Sequence, residues 1–161
     1  LSNETAEDAF FVIAAGYKGV VIEKVDSINN LKIVEQYGYE FNLHCGAIRK
    51  VLLAYQSNDF IENYIKNMEE DKNCYPKLDS DKLRQDLISI RKEGIAVSYG
   101  DYIEGAVGIG APVFEANGAL KGSLGIIAPV SRIVEENKID SVKSAVKKYA
   151  QKLSYNMGYI G

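Results

Sequence analysis

The chain has 161 residues, of which 47% are hydrophobic and 25% are charged, a composition typical of one folded domain with a single core. The formal net charge of −3 and the scattered lysines and arginines argue against a nucleic-acid-binding surface. The apolar runs are too short to span a membrane, and no signal-peptide pattern opens the chain. Two widely separated cysteines suit a reducing compartment, so we expect a cytoplasmic protein. Because the first residue is Leu1, we expect a piece of something longer.

A β-hairpin is predicted near the start of the chain. Ala9–Ala15 has the pattern of a buried strand, residues 16–19 form a turn, and Val20–Val25 follows as a second strand. Leu31–Val34 is a candidate for a short third strand. Tyr37–Leu43 is aromatic and irregular.

Three helices are predicted next. The first begins near Gly46, where apolar residues start to recur at helical spacing. The second covers Asn58–Met68 and is followed by a polar loop over residues 69–77. The third is capped by Asp79 or Ser80 and ends at Gly94, a residue typical of helix C-termini. The side chains that this third helix turns toward the core are predicted to be Leu83, Leu87, Ile88 and Ile90.

The stretch over residues 93–133 carries the strongest hairpin signal. After a short strand near Ile95–Ser98, two apolar runs, Ala106–Phe114 and Leu120–Ala128, flank the pair Asn117-Gly118, both of which tolerate positive φ. Period-two alternation places branched residues on one face of the first run and small residues on the other. Glycine gains nothing by packing in a strand, so the glycines indicate either room for a ligand or a bulge, a bend or close packing against a helix. Spacing leaves both interpretations open. These glycines are Gly108, Gly110, Gly122 and Gly125.

A last helix closes the chain, with Asp140 or Ser141 as its predicted cap and an apolar stripe that ends at Met157. The order of elements is strands, helices, strands and a helix, and the strands are joined by tight hairpins. This order predicts an α+β fold in which helices lie on the faces of an antiparallel sheet.

Three patterns could carry chemistry. The helix N-terminus at Gly46 offers unpaired N–H groups to a carboxylate, although most such ends simply face water. Asp101 and Glu104 could act as an acid–base pair, but a solvated turn is the more common explanation. His44, Cys45 and Cys74 show no zinc-ligand spacing and no recognisable nucleophile arrangement, so we expect no metal, no cofactor and no catalytic thiol. Aromatic residues that could line a small-molecule pocket, or simply fill the core, are Tyr37, Tyr39, Phe41, Tyr55, Tyr99 and Tyr102.

The pattern LHCGAxxKVLLAY, followed by GxAVxxGDYxEGxxxIxAPVFExNGxxxGSLGIxxPxSRI, resembles the C-terminal effector-binding domain of IclR-type bacterial transcriptional regulators. The resemblance extends over nearly the whole chain, from the first hairpin to the terminal helix. It implies a GAF-like, profilin-like α+β fold with a curved antiparallel sheet, forming one effector-binding domain over residues 1–161. It also implies dimers or dimers of dimers, and a preceding winged helix-turn-helix DNA-binding domain that is absent from this chain.

The resemblance also implies ligand-binding positions. Gly46 and Ala47 match the loop whose backbone amides hold the carboxylate of the ligand, and Asp101 matches an acidic position of the family. Three of the remaining positions depart from the family pattern, because Ser98 stands where the family often has an acidic residue and the serines expected at Gly125 and Ile127 are missing, whereas Gly108 stands where a polar or small residue is usual. These departing or small positions are Ser98, Gly108, Gly125 and Ile127. Losing a hydrogen-bonding partner costs about 1 kcal/mol or more per buried ligand group, so we predict an effector with a carboxylate head and a bulkier or more apolar body.

The interpretation that we favour is a non-catalytic sensor whose ligand changes DNA binding by the missing domain. Three alternatives remain at this point. The chain could be a GAF-like or PAS-like sensor of another signalling protein, an enzyme using Asp101 or His44, or an oligomerisation domain with a vestigial cavity.

Overall fold

The structure, a computed structural model, describes residues 1–33, 35–101 and 103–161. Its helices are α1 Ser2–Thr5, α2 Gly46–Ala54, α3 Asn58–Glu70, α4 Ser80–Glu93 and α5 Ile139–Asn156. Its strands are β1 Ala9–Ala15, β2 Lys18–Val25, β3 Glu40–Asn42, β4 Ala96–Tyr99, β5 Ala106–Phe114 and β6 Leu120–Pro129. All six strands form one antiparallel sheet in the order β3-β2-β1-β6-β5-β4. The predicted α+β class with helices on an antiparallel sheet is confirmed.

Both predicted hairpins form. β1 pairs with β2, and β5 pairs with β6 along nearly their whole length. In the second hairpin, Gly118 has a φ of 79° while Asn117 does not adopt a positive φ, and the Gly118 N–H donates to the Glu115 carbonyl at 2.8 Å. This is a type I turn followed by a left-handed glycine, rather than the two-residue turn with two positive φ values that an Asn-Gly pair most often makes.

The predicted third strand was wrong. Residues 31–33 are not in a strand, and Val34 lies outside the described residues. Side chains bind the backbone here and just before it, because Arg132 donates to the Leu31 carbonyl at 2.9 Å and Asp8 accepts the N–H of the preceding Ser27 at 2.7 Å. The sheet edge is taken by β3, from the stretch that was expected to be irregular.

Three helix predictions also need correction. Ile88 is 68% exposed, because it lies about 100° around α4 from Leu87 and off the buried stripe of Leu83, Leu87 and Ile90. Helix α3 continues to Glu70, into the predicted loop. Helix α5 begins at Ile139 without a side-chain cap, so neither Asp140 nor Ser141 caps it. The predicted cap of α4 by Asp79, with Gly94 after its end, is confirmed.

The sheet separates two apolar cores. On one face, α2, α3 and α4 cover Phe10, Val12 and Ile127. On the other face, α5 packs on branched side chains of β5 and β6 such as Val107 and Ile109. The α2 face of β5 presents Gly108 and Gly110, which sets how closely the helix can approach.

Close packing explains most of the strand glycines. A Cβ atom at Gly110 would lie 2.8 Å from the Ile48 Cα atom, and one at Gly125 would lie 2.6 Å from the Ile48 Cγ1 atom. At Gly122 it would meet the Phe11 ring at 2.5 Å. At Gly108 the closest atom is the Ser98 hydroxyl oxygen at 2.9 Å, and the Ala47 nitrogen is 3.6 Å away. Of the four glycines, Gly108 is the one whose only tight contact is a single side-chain oxygen, and it is the one that lines the cavity beside α2.

A matched pair of variants tests this account. In Gly110→Ala the new methyl group meets backbone of α2, so we expect a loss of about 2–3 kcal/mol in the free energy of unfolding. In Gly108→Ala it meets a single side-chain oxygen, and the loss should stay near about 1 kcal/mol. Urea unfolding of both variants, with equal slopes, measures the difference. Equal losses at the two positions would contradict the packing account.

Candidate functional site

A small cavity lies between the N-terminus of α2 and the sheet. Its volume is about 20 Å³, which is room for about one water molecule. It is lined by backbone of α2, by β4 and β5, and by the 100–105 loop, of which residue 102 lies outside the described residues. The lining residues that were predicted as ligand-binding are Gly46, Ala47, Ser98, Asp101, Gly108 and Ile127.

Gly125, the seventh predicted residue, does not line this cavity. It pairs with Gly110 across the β5–β6 ladder and packs under Ile48. The aromatic residues are also elsewhere. None of Tyr37, Tyr39, Phe41, Tyr55 and Tyr99 lines the cavity, and Tyr102 lies outside the described residues.

The N-terminus of α2 forms one wall of the cavity. Gly46 has a φ of 74°, a left-handed conformation that favours glycine. The N-cap residue Cys45 makes no side-chain cap hydrogen bond. Instead the Ala47 N–H donates to the Ser98 hydroxyl at 2.9 Å, across from β4. The serine oxygen therefore occupies the position in which a carboxylate oxygen would be stabilised by a helix N-terminus.

A buried lysine connects α2 to the 100–105 loop. Lys50 is only 8% exposed, and its Nζ atom lies 2.7 Å from Asp101 Oδ2 and 2.9 Å from Asp86 Oδ2. Burial alone would lower the pKa of Lys50, but the two carboxylates raise it above its usual value, so the lysine stays charged. Lys50 was not among the predicted site residues, because a lone lysine in a helix gives no spacing signal.

The 100–105 loop is attached at both ends by backbone hydrogen bonds. Gly100 and Gly105 have φ values of 62° and 73°. The Gly100 N–H donates to the Ala106 carbonyl at 2.8 Å, and Gly105 accepts the Val130 N–H at 2.8 Å. Between these glycines, Asp101 and Ile103 face the cavity. Among the described residues of the loop, Asp101 pairs with Lys50 and Ile103 packs against the apolar core, and both contacts hold the loop beside the cavity.

A second charged contact fixes α2 from its other side. Arg49 is 1% exposed and makes a bidentate pair with the equally buried Glu35, at 3.1 and 3.3 Å. Its Nε atom donates to the Gly19 carbonyl at 3.3 Å. Such a fork-to-carboxylate pair specifies orientation as well as adding energy. Helix α2 is therefore tied to strand β2 and to residue 35, in addition to its packing against β5 and β6.

His44 has a structural role. The Tyr64 hydroxyl accepts the His44 backbone N–H at 3.0 Å and lies 2.6 Å from the imidazole Nδ1 atom, and Nε2 lies 2.9 Å from the Pro76 carbonyl. This arrangement fits a neutral ring with its proton on Nε2. Burial lowers the pKa of His44, which favours the same neutral form. Burial also raises the pKa of the neighbouring Cys45 thiol to about 12, so this thiol is not a ready nucleophile.

A wider groove lies at the opposite end of α2. It has a volume of about 610 Å³ and runs between the C-terminal ends of α4 and α5. The rings of Tyr55, Phe114 and Tyr159 stand in sequence along it, with centroids 5.3 and 5.1 Å apart. This groove contains none of the predicted site residues, and it provides the obvious competing location for a ligand.

Comparison with known proteins identifies the family. Residues 1–155 match the family described as bacterial transcriptional regulator IclR C-terminal. The chain is 30% identical over 141 residues to the HTH-type transcriptional regulator KdgR of Dickeya chrysanthemi, covering 87% of this chain and 46% of that protein. KdgR of Escherichia coli is equally similar, with 53% of its length covered. The chain thus spans about half the length of the curated relatives that it matches.

Solved structures give the same result. The Thermotoga maritima IclR structure superimposes with a TM-score of 0.85 at 26% identity, covering 98% of this chain and 64% of that one. The C-terminal domain of Escherichia coli KdgR gives a TM-score of 0.80 at 26% identity, covering 98% and 92%. This chain belongs to the IclR family of transcriptional regulators, and within that family it is the C-terminal, effector-binding type of domain. Within the described residues, no helix is long and apolar enough to cross a membrane.

The loop contact can be tested with two lysines that share Asp86. Lys50→Met leaves Asp86 and Asp101 without their buried cation, so we expect a loss of about 2–3 kcal/mol at pH 7, less than for a fully enclosed pair. Lys82→Met removes an exposed partner 3.0 Å from the same carboxylate and should cost no more than about 0.5 kcal/mol. Thermal and urea unfolding of both variants would measure this.

The effect of Lys50→Met should also depend on pH. Burial raises the pKa of Asp86, but hydrogen bonds from Lys50 and Lys82 outweigh it and hold the pKa below the usual value. A carboxyl group with a lowered pKa stabilises the fold above about pH 4, and the contribution is lost as the pH falls through the lowered value. The gap between wild type and Lys50→Met should therefore shrink below about pH 4. A gap that stays constant down to pH 3 would contradict the electrostatic account.

Proposed function

We propose that this domain senses a small organic acid whose carboxylate binds at the N-terminus of α2. The observation that carries the proposal is the convergence of two anion-compatible features on one cavity. These are the first-turn amides of α2 at Gly46 and Ala47 and the Ser98 hydroxyl bound to one of them. The buried cation Lys50 lies outside the cavity lining and pairs with Asp101, which lines it. Backbone amides at a helix N-terminus favour an anion without any particular side chain.

In this proposal the effector enters by opening the 100–105 loop. A cavity of about 20 Å³ holds a water molecule and not an organic acid, so an effector must displace something. The Lys50–Asp101 pair is a contact that opening must break, because it joins the loop to α2. The glycines at positions 100 and 105 allow the backbone change that opening requires.

The body of the effector meets apolar surface. Ile103, Ala106 and Ile127 line the cavity beside Gly108. Of these, Ile103 belongs to the loop that opens. Their side chains offer no hydrogen bonds, so a very short oxo acid would leave its polar groups unpaired. An acid with an aliphatic or aromatic body fits this lining better.

For the whole protein, we propose regulation of transcription through a DNA-binding domain outside this chain. The support comes from the names of relatives. KdgR of Escherichia coli and KipR of Bacillus subtilis are each called an HTH-type transcriptional regulator. YiaJ of Escherichia coli is called a DNA-binding transcriptional repressor. We also propose assembly as a dimer or dimer of dimers in the cytoplasm, with the sequence of residues 1–161 acting as one sensing unit.

A non-catalytic role is part of the same proposal. Asp101 is engaged by Lys50 at 2.7 Å, while Glu104 is exposed. His44 is held by Tyr64 and Pro76. These contacts favour structural roles for the residues that an enzyme would need. Turnover that is lost when Asp101 is mutated would favour the enzymatic alternative.

Calorimetric titration with a panel of acids tests the chemistry of the effector. We expect short oxo acids of two or three carbons to bind weakly, and acids with a larger aliphatic or aromatic body to bind at least about tenfold more tightly, which is about 1.4 kcal/mol. The matching amides should bind less well, because they lack the anionic head. Tight binding of only the shortest acids would refute the predicted effector class.

A pair of variants tests the location. Gly108→Val places a side chain next to the Ala47 nitrogen, so we expect the affinity for the best acid to fall at least about tenfold. Tyr159→Ala alters the wide groove at the far end of α2 and should leave affinity unchanged. Circular dichroism confirms that each variant is folded. The reverse pattern would move the effector to the groove and overturn the proposed site.

A further inference from the structure

Folding brings together two sulfur atoms and one imidazole nitrogen from three separate parts of the chain. The Cys74 Sγ atom lies 3.9 Å from the His44 Nε2 atom and 4.0 Å from the Met68 Sδ atom. His44 precedes α2, Met68 lies on α3, and Cys74 lies in the connection to α4. The sequence spacing argued against a metal site, because no regular motif links these positions.

The spacing of these atoms suits a metal ion. Bonds of about 2.3 Å to sulfur and about 2.0 Å to nitrogen, arranged at 120° around one ion, place two sulfurs about 4.0 Å apart and sulfur and nitrogen about 3.7 Å apart. The two distances to Cys74 Sγ are close to these values. Both distances from the Cys74 sulfur are therefore compatible with one ion bound by all three atoms.

The identity of the donors selects a soft ion. Soft thiolate and thioether ligands suit ions such as Cu(I), whereas zinc sites in proteins are built from Cys, His and carboxylate ligands. Across residues 1–33, 35–101 and 103–161, no three His, Cys, Asp or Glu side chains converge to hold a metal. A site completed by Met68 therefore suits Cu(I), or Ag(I) as its redox-inert analogue, and does not suit Zn(II).

The ion can reach the site from solvent. Cys74 and Met68 are both partly exposed, whereas His44 is 6% exposed and forms the inner wall. The second cysteine, Cys45, is fully buried, and its sulfur lies 4.0 Å from the Tyr75 carbonyl. Cys45 therefore provides a matched thiol control within the same chain.

Binding requires two proton changes. The Cys74 thiol loses its proton to solvent and binds as thiolate. His44 changes tautomer: its Nε2 proton leaves to solvent, which breaks the hydrogen bond to the Pro76 carbonyl, while Nδ1 takes up one proton from solvent, so the ring stays neutral. The Tyr64 hydroxyl, which lies 2.6 Å from Nδ1, accepts the hydrogen bond from this N–H, as oxygen groups commonly do behind metal-bound histidines. One proton is released for each ion, and no electron is transferred.

We propose that Cys74, Met68 and His44 form a binding site for a monovalent soft metal ion, Cu(I) being the physiological class. The site lies directly before α2, two residues from Gly46. Release of Pro76 from His44 would loosen the connection between α3 and α4, so an ion bound here would influence the same helix N-terminus as the proposed effector. The site itself does not depend on the proposed effector binding.

Anaerobic titration of the chain with Ag(I), and with Cu(I) buffered by a cuprous chelator, tests the proposal. We expect one ion per chain with release of one proton. Cys74→Ser should abolish binding, and Met68→Leu, which preserves volume, should weaken it at least about tenfold. Cys45→Ala should bind like the wild type.

Three results would overturn the proposal. Met68→Leu that binds like the wild type would reduce the site to one reactive thiol. Loss of binding in Cys45→Ala would place the ion elsewhere. Equal competition by Zn(II) would exclude a thioether-completed soft site. Because acid titrations with metal-free protein are a separate measurement, failure here leaves the effector proposal unaffected.

Discussion

The approach of α2 to the glycine face of the sheet is the constraint on which the rest of the structure depends. Ile48 packs directly over Gly110 and Gly125, at distances that leave no room for a Cβ atom. This contact brings the first turn of α2 against β4 and β5, and it is the reason that Ser98 can reach the Ala47 amide. A bulkier strand would push the helix away and separate its amides from the serine.

Two buried ion pairs fix the position of α2 in addition to this packing. Lys50 and Arg49 are neighbours on α2, and both are buried with carboxylate partners. Arg49 fixes the helix to Glu35 and the Gly19 carbonyl, whereas Lys50 holds Asp101 in a loop bordered by two left-handed glycines. The first pair is almost completely enclosed and the second is partly open to water, so the second is the weaker constraint. The same turn of α2 thus carries one enclosed ion pair, Arg49–Glu35, that is hard to break, and one partly exposed ion pair, Lys50–Asp101, that is easier to break.

Local signals predicted the fold well where they act alone. Alternation and an Asn-Gly pair located both hairpins, and Asp79 and Gly94 marked the ends of α4. The errors occur where tertiary contacts decide. Residues 31–33 have strand-forming composition, but side chains of Asp8 and Arg132 bind the backbone around them. Six of seven predicted site residues surround the cavity, yet spacing could not distinguish Gly108 from Gly110 and Gly125. Only the position of Ile48 separates a glycine beside a cavity from a glycine under a helix.

The strand glycines also determine which parts of this domain tolerate amino-acid substitution. Glycine has no rotamers with which to absorb a shift, so Ile48 and the sheet must move together or not at all. The described part of the loop between Gly100 and Gly105 is held by two contacts, since Asp101 pairs with Lys50 and Ile103 packs against the apolar core while lining the cavity. In the proposed site, substitutions of these two side chains change which molecule fits while the contact of Ile48 with the sheet stays unchanged. The fold separates the part that must be inherited intact from the part that is free to diverge.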